Sequence, residues 1–172
     1  APQKGAEPDM VRLLDAQLVS LNETLSRELG ARVATLPGAG AAGAMGAGAV
    51  AFFGAALNPG IETVLETVRF EERVADADFV ITGEGRLDSQ SLRGKVVIGV
   101  ARRAKRMGVP VFAVVGDVGD EIDEAYREGV TAIFSTNHLA IPFSEARKRS
   151  EQDYRKTIEN IFRALKALEQ RT

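Results

Sequence analysis

The spacing of apolar positions divides the chain into a helical opening, a glycine-rich middle and a remainder in which strands alternate with helices. From Pro8 to Glu28, Met10, Leu13, Leu14, Leu18, Leu21 and Leu25 recur at intervals of three and four, which predicts a helix with one apolar face. Pro8 and Asp9 suit its first turn, where a missing amide proton is harmless and a negative charge is favourable. Gly30 suits its C-terminal cap. Seven glycines then fall between Gly38 and Gly60. Glycine costs about 1 kcal/mol against alanine in a helix interior, so here it must permit close backbone approach, to another element or to a ligand. A loop at Pro37–Gly40, a tightly packed helix to about Ala56 and a short helix over Pro59–Thr67 are expected.

Three short apolar runs follow, at Phe79–Thr82, Val109–Val115 and Val130–Ser135, and each reads as a buried strand. Amphipathic stretches separate them: Val96–Met107, with Ile98, Ala101 and Ala104 inward, and Glu121–Glu128. Ser144–Leu168 closes the chain as a long charged helix, with Tyr154, Ile158, Ile161, Leu165 and Leu168 on one stripe. This order predicts an α/β fold, a parallel sheet with helical crossovers preceded by a helix-rich segment containing Gly and Ala. The strands end in polar loops, GEGRLDSQS, GDVGD and TNH, and ligands of open parallel sheets bind beyond the strands' carboxyl ends.

Composition narrows the chemistry. The 172 residues suit one ordinary domain or two small ones, and 45% hydrophobic with 27% charged residues describes a globular chain. A net charge of −2 gives no basic excess for nucleic acid or an anionic membrane surface. The absence of cysteine removes disulfides and thiolate sites, and the single His138 excludes a two-histidine zinc centre. Pro37–Leu57 is too weakly hydrophobic to span a membrane, and APQKGAEPDM has no signal-peptide pattern. The missing initiator Met suggests a fragment.

Gly38, Gly40 and Gly43 match GxGxxG spacing, but the preceding RVATLP is a poor strand, which argues against dinucleotide binding. Tight packing, or amides presented to an anion, remain open. Gly94-Lys95 is followed by Val96, so there is no Walker A loop. The most informative segment is GEGRLDSQSLRGK. Gly83 and Gly85 around Glu84 permit a sharp turn at a strand end; Arg86, Asp88, Ser89, Gln90, Ser91 and Lys95 follow. A solvated loop also carries such residues. Together they are what phosphoryl transfer needs: a cation such as Arg86 or Lys95 on the transferring group, a carboxylate such as Asp88 as base or magnesium ligand, and amides for oxyanions. Asp117 and Asp120 add metal ligation or are turn aspartates. His138 is a polar contact near the same edge or has no role there.

These phrases, with PQKGA at Pro2–Ala6, PGAGAAGAMGAG at Pro37–Gly48, LNPGIETVLE at Leu57–Glu66 and ADFVITGEGRLDSQSLRGKVVIGVA at Ala77–Ala101, resemble the bacterial type I glycerate kinase family. The resemblance covers nearly the whole chain. It implies ATP-dependent, Mg2+-requiring phosphorylation of D-glycerate in the cytoplasm. It also implies a chain about twice as long, whose amino-terminal half, with a DSFKGS-type segment, is missing. On the family plan residues 1–67 are the tail of an inserted α/β domain, and 68–172 are the carboxy-terminal part of a flavodoxin-like domain. Arg86 and Asp88 would then be catalytic, with Asp88 and Asp117 as metal ligands. Lys4, Gly38, Gly40, Gly43, Gly83, Glu84, Gly85, Ser89, Gln90 and Lys95 would contact substrate or phosphate. Surface left bare by the missing half would favour self-association. The rival expectation is a non-catalytic module that binds an anion or nucleotide.

Overall fold

The structure is a computed structural model and describes residues 5–88, 91, 96–120 and 122–170. The chain divides into two compact units, Ala1–Pro59 and Gly60–Thr172.

The first unit holds α1 (Pro8–Leu29) and α2 (Ala41–Phe53). α1 ends where expected. Gly30 is left-handed at φ 66°, its amide donates to the Ser26 carbonyl at 3.1 Å, and the Ala31 amide reaches the Leu25 carbonyl at 3.3 Å. Leu25 packs with Val33, Ala39 and Ala47 in a small core. It is the only member of the predicted apolar face that is buried. Met10, Leu13, Leu14, Leu18 and Leu21 are between 39% and 53% exposed. α2 stops at Phe53 rather than about Ala56, because Gly54 caps it in the left-handed conformation. Its first turn is also broken, with Ala42, Gly43 and Ala44 all at positive φ. The tight packing expected of the glycines is real at Gly46, where a Cβ would lie 2.4 Å from the Gly38 carbonyl oxygen.

The second unit runs α3 (Gly60–Thr67), α4 (Phe70–Val74), β1 (Val80–Leu87), α5 (Val96–Arg106), β2 (Val111–Val118), α6 (Asp123–Arg127), β3 (Ala132–Ser135) and α7 (Phe143–Glu169). β1, β2 and β3 form one parallel sheet in that order. The expected architecture of strands and crossover helices is therefore present. Its strand boundaries differ. β1 does not turn at the glycines after Thr82 but continues through Gly83, Glu84, Gly85 and Arg86 to Leu87, and β2 continues past Val115 to Val118. The glycines hold the strands close instead of bending them. A Cβ on Gly83 would stand 2.2 Å from the Val114 carbonyl oxygen, and one on Gly116 would stand 2.5 Å from that of Gly85.

One sheet face presents Val111, Ala113 and Val115 to Val97, Ile98, Ala101 and Ala104, all but completely buried. Each such Val or Ile contributes about 1.5–3 kcal/mol through burial. On the other face Phe112 stacks on Phe79 at 5.3 Å and meets Phe134 edge-on at 5.9 Å, and Phe162 of α7 covers Phe79. The predicted α7 stripe is displaced. Ile161 is buried, but Tyr154 and Leu168 are exposed, and Asp153 and Thr157 take the inner face. Arg149 makes that possible by pairing with Asp153 through two bonds, of 3.2 and 3.1 Å. Arg103 does the same for the helices before the sheet: it donates to Glu62, Glu66 and Glu71 at 2.7–3.3 Å and ties α3 and α4 to α5. Among the described residues no helix is long and apolar enough to cross a membrane.

Two predictions follow from this packing. Gly83→Ala and Gly116→Ala should each cost about 1–3 kcal/mol in urea unfolding, as overpacked substitutions do; a change within about 0.5 kcal/mol would show that the strands are not held this closely. The second concerns pH. Arg149 holds the Asp153 carboxyl below the usual carboxylate range, Arg102 does so for Glu128, and for Glu71 a backbone hydrogen bond acts first and Arg103 second. Folded values below the unfolded ones give stabilisation that is complete above about pH 5.5 and lost as pH falls through the unfolded and then the depressed values. The urea midpoint should therefore drop steeply on the acid side, and Asp153→Asn should flatten the drop. A midpoint of the variant that tracks the parent across that range would contradict the assignment.

Candidate functional site

The carboxyl ends of β1 and β2 bring the chemistry together. Pairing sets Glu84 opposite Val115 and Arg86 opposite Asp117, the latter one residue from the end of the register at Leu87 and Val118. Past Leu87, which is fully buried, the chain turns at Asp88. Ser91 fixes that turn. Its hydroxyl donates to the Arg86 carbonyl at 3.3 Å and accepts from the Asp88 amide at 3.3 Å, while its own amide donates to the Asp88 carbonyl at 2.9 Å. The Gly119 amide closes the edge on the Leu87 carbonyl at 2.8 Å. Sequence reasoning placed Ser91 among general loop hydroxyls; its full burial marks it as the residue that positions Asp88.

The result is a cation between two acids. Arg86 Nε lies 3.8 Å from Asp88 Oδ2 and 3.8 Å from Asp117 Oδ2. The guanidinium is 60% exposed and Asp117 is 55% exposed, so water screens the group and it adds little to stability. Glu84 differs. Its Oε1 is buried and meets no donor among the described residues, an arrangement that leaves an acceptor ready for a hydroxyl or a cation.

Asp120 is exposed in the turn after β2. His138 is engaged with α7: Thr157 Oγ1 donates to the Asp153 carbonyl at 2.9 Å and so accepts from His138 Nε2 at 2.8 Å. Gly83 is accounted for by strand approach, and a Cβ on Gly85 would meet nothing within 4 Å. Gly38, Gly40 and Gly43 lie in the first unit. Gly38 turns the chain at φ 88°, Gly40 precedes α2, and Gly43 sits in the left-handed stretch. Several loop amides there are already used, Ala41 on the Gly38 carbonyl at 3.0 Å and Ala44 on that of Gly40 at 3.3 Å. Lys4, Ser89, Gln90 and Lys95 lie outside the described residues.

A magnesium ion keeps several waters and needs only one or two protein carboxylates beside substrate phosphates. Asp88 and Asp117, already converging on one cation, fit that demand. Among the described residues no group of three or more His, Asp or Glu side chains forms a fuller metal cage.

Comparison with known proteins gives the context. The model of the glycerate kinase family matches residues 1–166. A glycerate kinase of Halalkalibacterium halodurans is 46% identical over 160 residues, which cover 93% of this chain and 42% of that one. A glycerate 2-kinase of Escherichia coli K12 is 42% identical over 163 residues, covering 95% and 41%. A crystal structure named for a glycerate kinase 2 of Salmonella typhimurium LT2 superimposes with a TM-score of 0.68 at 43% identity, over 98% of this chain and 43% of that one. The chain thus spans about two-fifths of the length of the curated relatives it matches.

Because the Arg86 pairs are solvated, Arg86→Met should leave the urea midpoint of the chain unchanged, within about 0.5 kcal/mol. A loss above about 2 kcal/mol would make the cluster a structural one.

Proposed function

The chain belongs to the glycerate kinase family, and on that premise we propose that it is the carboxy-terminal part of a cytoplasmic type I enzyme that transfers a phosphoryl group from ATP to D-glycerate. The observation that carries this reading is the family match across residues 1–166. The proposal further makes residues 1–67 the tail of an inserted domain and residues 68–172 the closing part of a flavodoxin-like domain, with an amino-terminal half of the enzyme as the partner of both.

The roles follow from charge and position. Arg86 neutralises charge that builds on the transferring group or grips the planar glycerate carboxylate, both of which suit a guanidinium fork. Before substrate arrives, Asp88 and Asp117 hold that guanidinium at the strand ends. Asp88, fixed by Ser91, takes the proton from the attacking glycerate hydroxyl. Glu84 Oε1 accepts a hydrogen bond from a second substrate hydroxyl. Mg2+, when bound by Asp88 and Asp117, would offset the negative charge of the ATP phosphates. The amides around Gly38, Gly40 and Gly43 contact an anion, as do Lys4, Lys95, Ser89 and Gln90.

In-line transfer needs donor, acceptor and metal held together, so part of an enzyme should not turn over. This chain alone should release no ADP with glycerate in a coupled assay. In an enzyme completed with the amino-terminal portion, Arg86→Ala and Asp88→Ala should each lower turnover about 100-fold or more while circular dichroism stays unchanged. Turnover within about threefold of the parent, roughly 0.6 kcal/mol of barrier, would remove these residues from the chemistry. Robust turnover by the chain alone would overturn its reading as a part.

A further inference from the structure

The geometry points to the open face of α1 as a docking surface for a helix supplied by the part of a glycerate kinase that lies outside this chain. The inference rests on the functional reading above. Val11, Leu14, Leu18, Leu21 and Leu25 follow a strict three–four alternation, the spacing of a seam that meets another helix. α2 occupies only the last of these positions, through Leu25. Towards the amino terminus the seam is open, with Leu14 39% and Leu18 40% exposed. Beside it runs a groove of about 400 Å3 with Leu18, Leu21 and Leu25 on one wall and Ala39, Ala44 and Ala47 on the other. Alanine walls admit large side chains from a partner, as knobs enter holes.

One polar atom adds a requirement. Asn22 lines the same groove, and its Oδ1 is buried without a donor among the described residues. An acceptor in that state costs stability until a donor arrives, so the docking helix should carry a hydroxyl or amide opposite Asn22. The choice of occupant rests on length. The Salmonella kinase has more than half its chain beyond the region matched here. α2 also carries exposed apolar side chains, with Met45, Phe52 and Phe53 at least 65% exposed, and bare apolar surface of this kind marks an interaction site.

The test is co-expression of this chain, tagged, with the untagged remainder of the Salmonella kinase. The remainder should co-purify in equal amount. Leu14→Asp and Leu18→Asp should each lower its recovery about tenfold or more, because an aspartate buried in the seam has no partner. Both residues are substantially exposed in the chain alone, so these variants should keep the parent's helix content. Glu23→Gln, on the opposite face of α1, should change nothing. Failure to co-purify would overturn the proposal, as would co-purification that ignores both seam variants. Sedimentation of the chain alone supplies a third arm. A dimer abolished by Leu14→Asp would give the seam to a second copy and overturn it too. Kinase activity of the pair is scored separately. A bound but inactive pair keeps the surface and sinks the functional reading, whereas an active pair indifferent to the seam variants does the reverse.

Discussion

The second unit depends on how closely β1 approaches β2. At Gly83 and Gly116 the neighbouring carbonyl oxygens occupy the space in which a Cβ would stand. That constraint selects the register as well as the distance. A shift along the strands would bring a side chain against a carbonyl at one of these points, and a one-residue shift would also send Val111, Ala113 and Val115 to the wrong face. The register that survives sets Arg86 opposite Asp117. Close packing in the sheet therefore places the charges at its edge.

The charged edge and the charged interior follow different rules. Arg103 is nearly buried and surrounded by Glu62, Glu66 and Glu71, so its hydrogen bonds hold α3 and α4 in place. Its own ionisation is pushed upward, first by Glu62 and then by Glu71. Arg86 meets two carboxylates at longer range and in water. It is positioned without being committed, which is what a group that must transfer its attention to a ligand requires. Ser91 and the buried Leu87 supply the rigidity that the exposed charges lack.

Much of this was legible in the sequence, for identifiable reasons. The three parallel strands follow from short apolar runs, the inner face of α5 from the spacing of Ile98, Ala101 and Ala104, and the end of α1 from Gly30. The extension of β1 was not legible, because glycine marks a sharp turn and a close approach equally and only the neighbour's position separates them. The left-handed stretch at Ala42–Ala44 leaves no sign in residues that favour helix. α4 escaped as well, since FEERV has five residues and begins after Arg69 at a positive φ of 52°. The inner face of α7 was misread because hydrophobic periodicity passes over Asp153 and Thr157, whose partners Arg149 and His138 make their burial affordable. At the site, the types Arg86, Asp88 and Asp117 were visible, but their convergence required the register.

Whether the joined ends of β1 and β2 receive the phosphorylated ligand is open to direct observation. The chain should be labelled with 15N and titrated with phosphoglycerate in the presence of magnesium, with amide shifts followed residue by residue. The account predicts saturable shifts at Glu84–Asp88 and at Asp117, abolished by Arg86→Ala. Shifts confined to other segments, or shifts at the strand ends that persist without the Arg86 guanidinium, would contradict it.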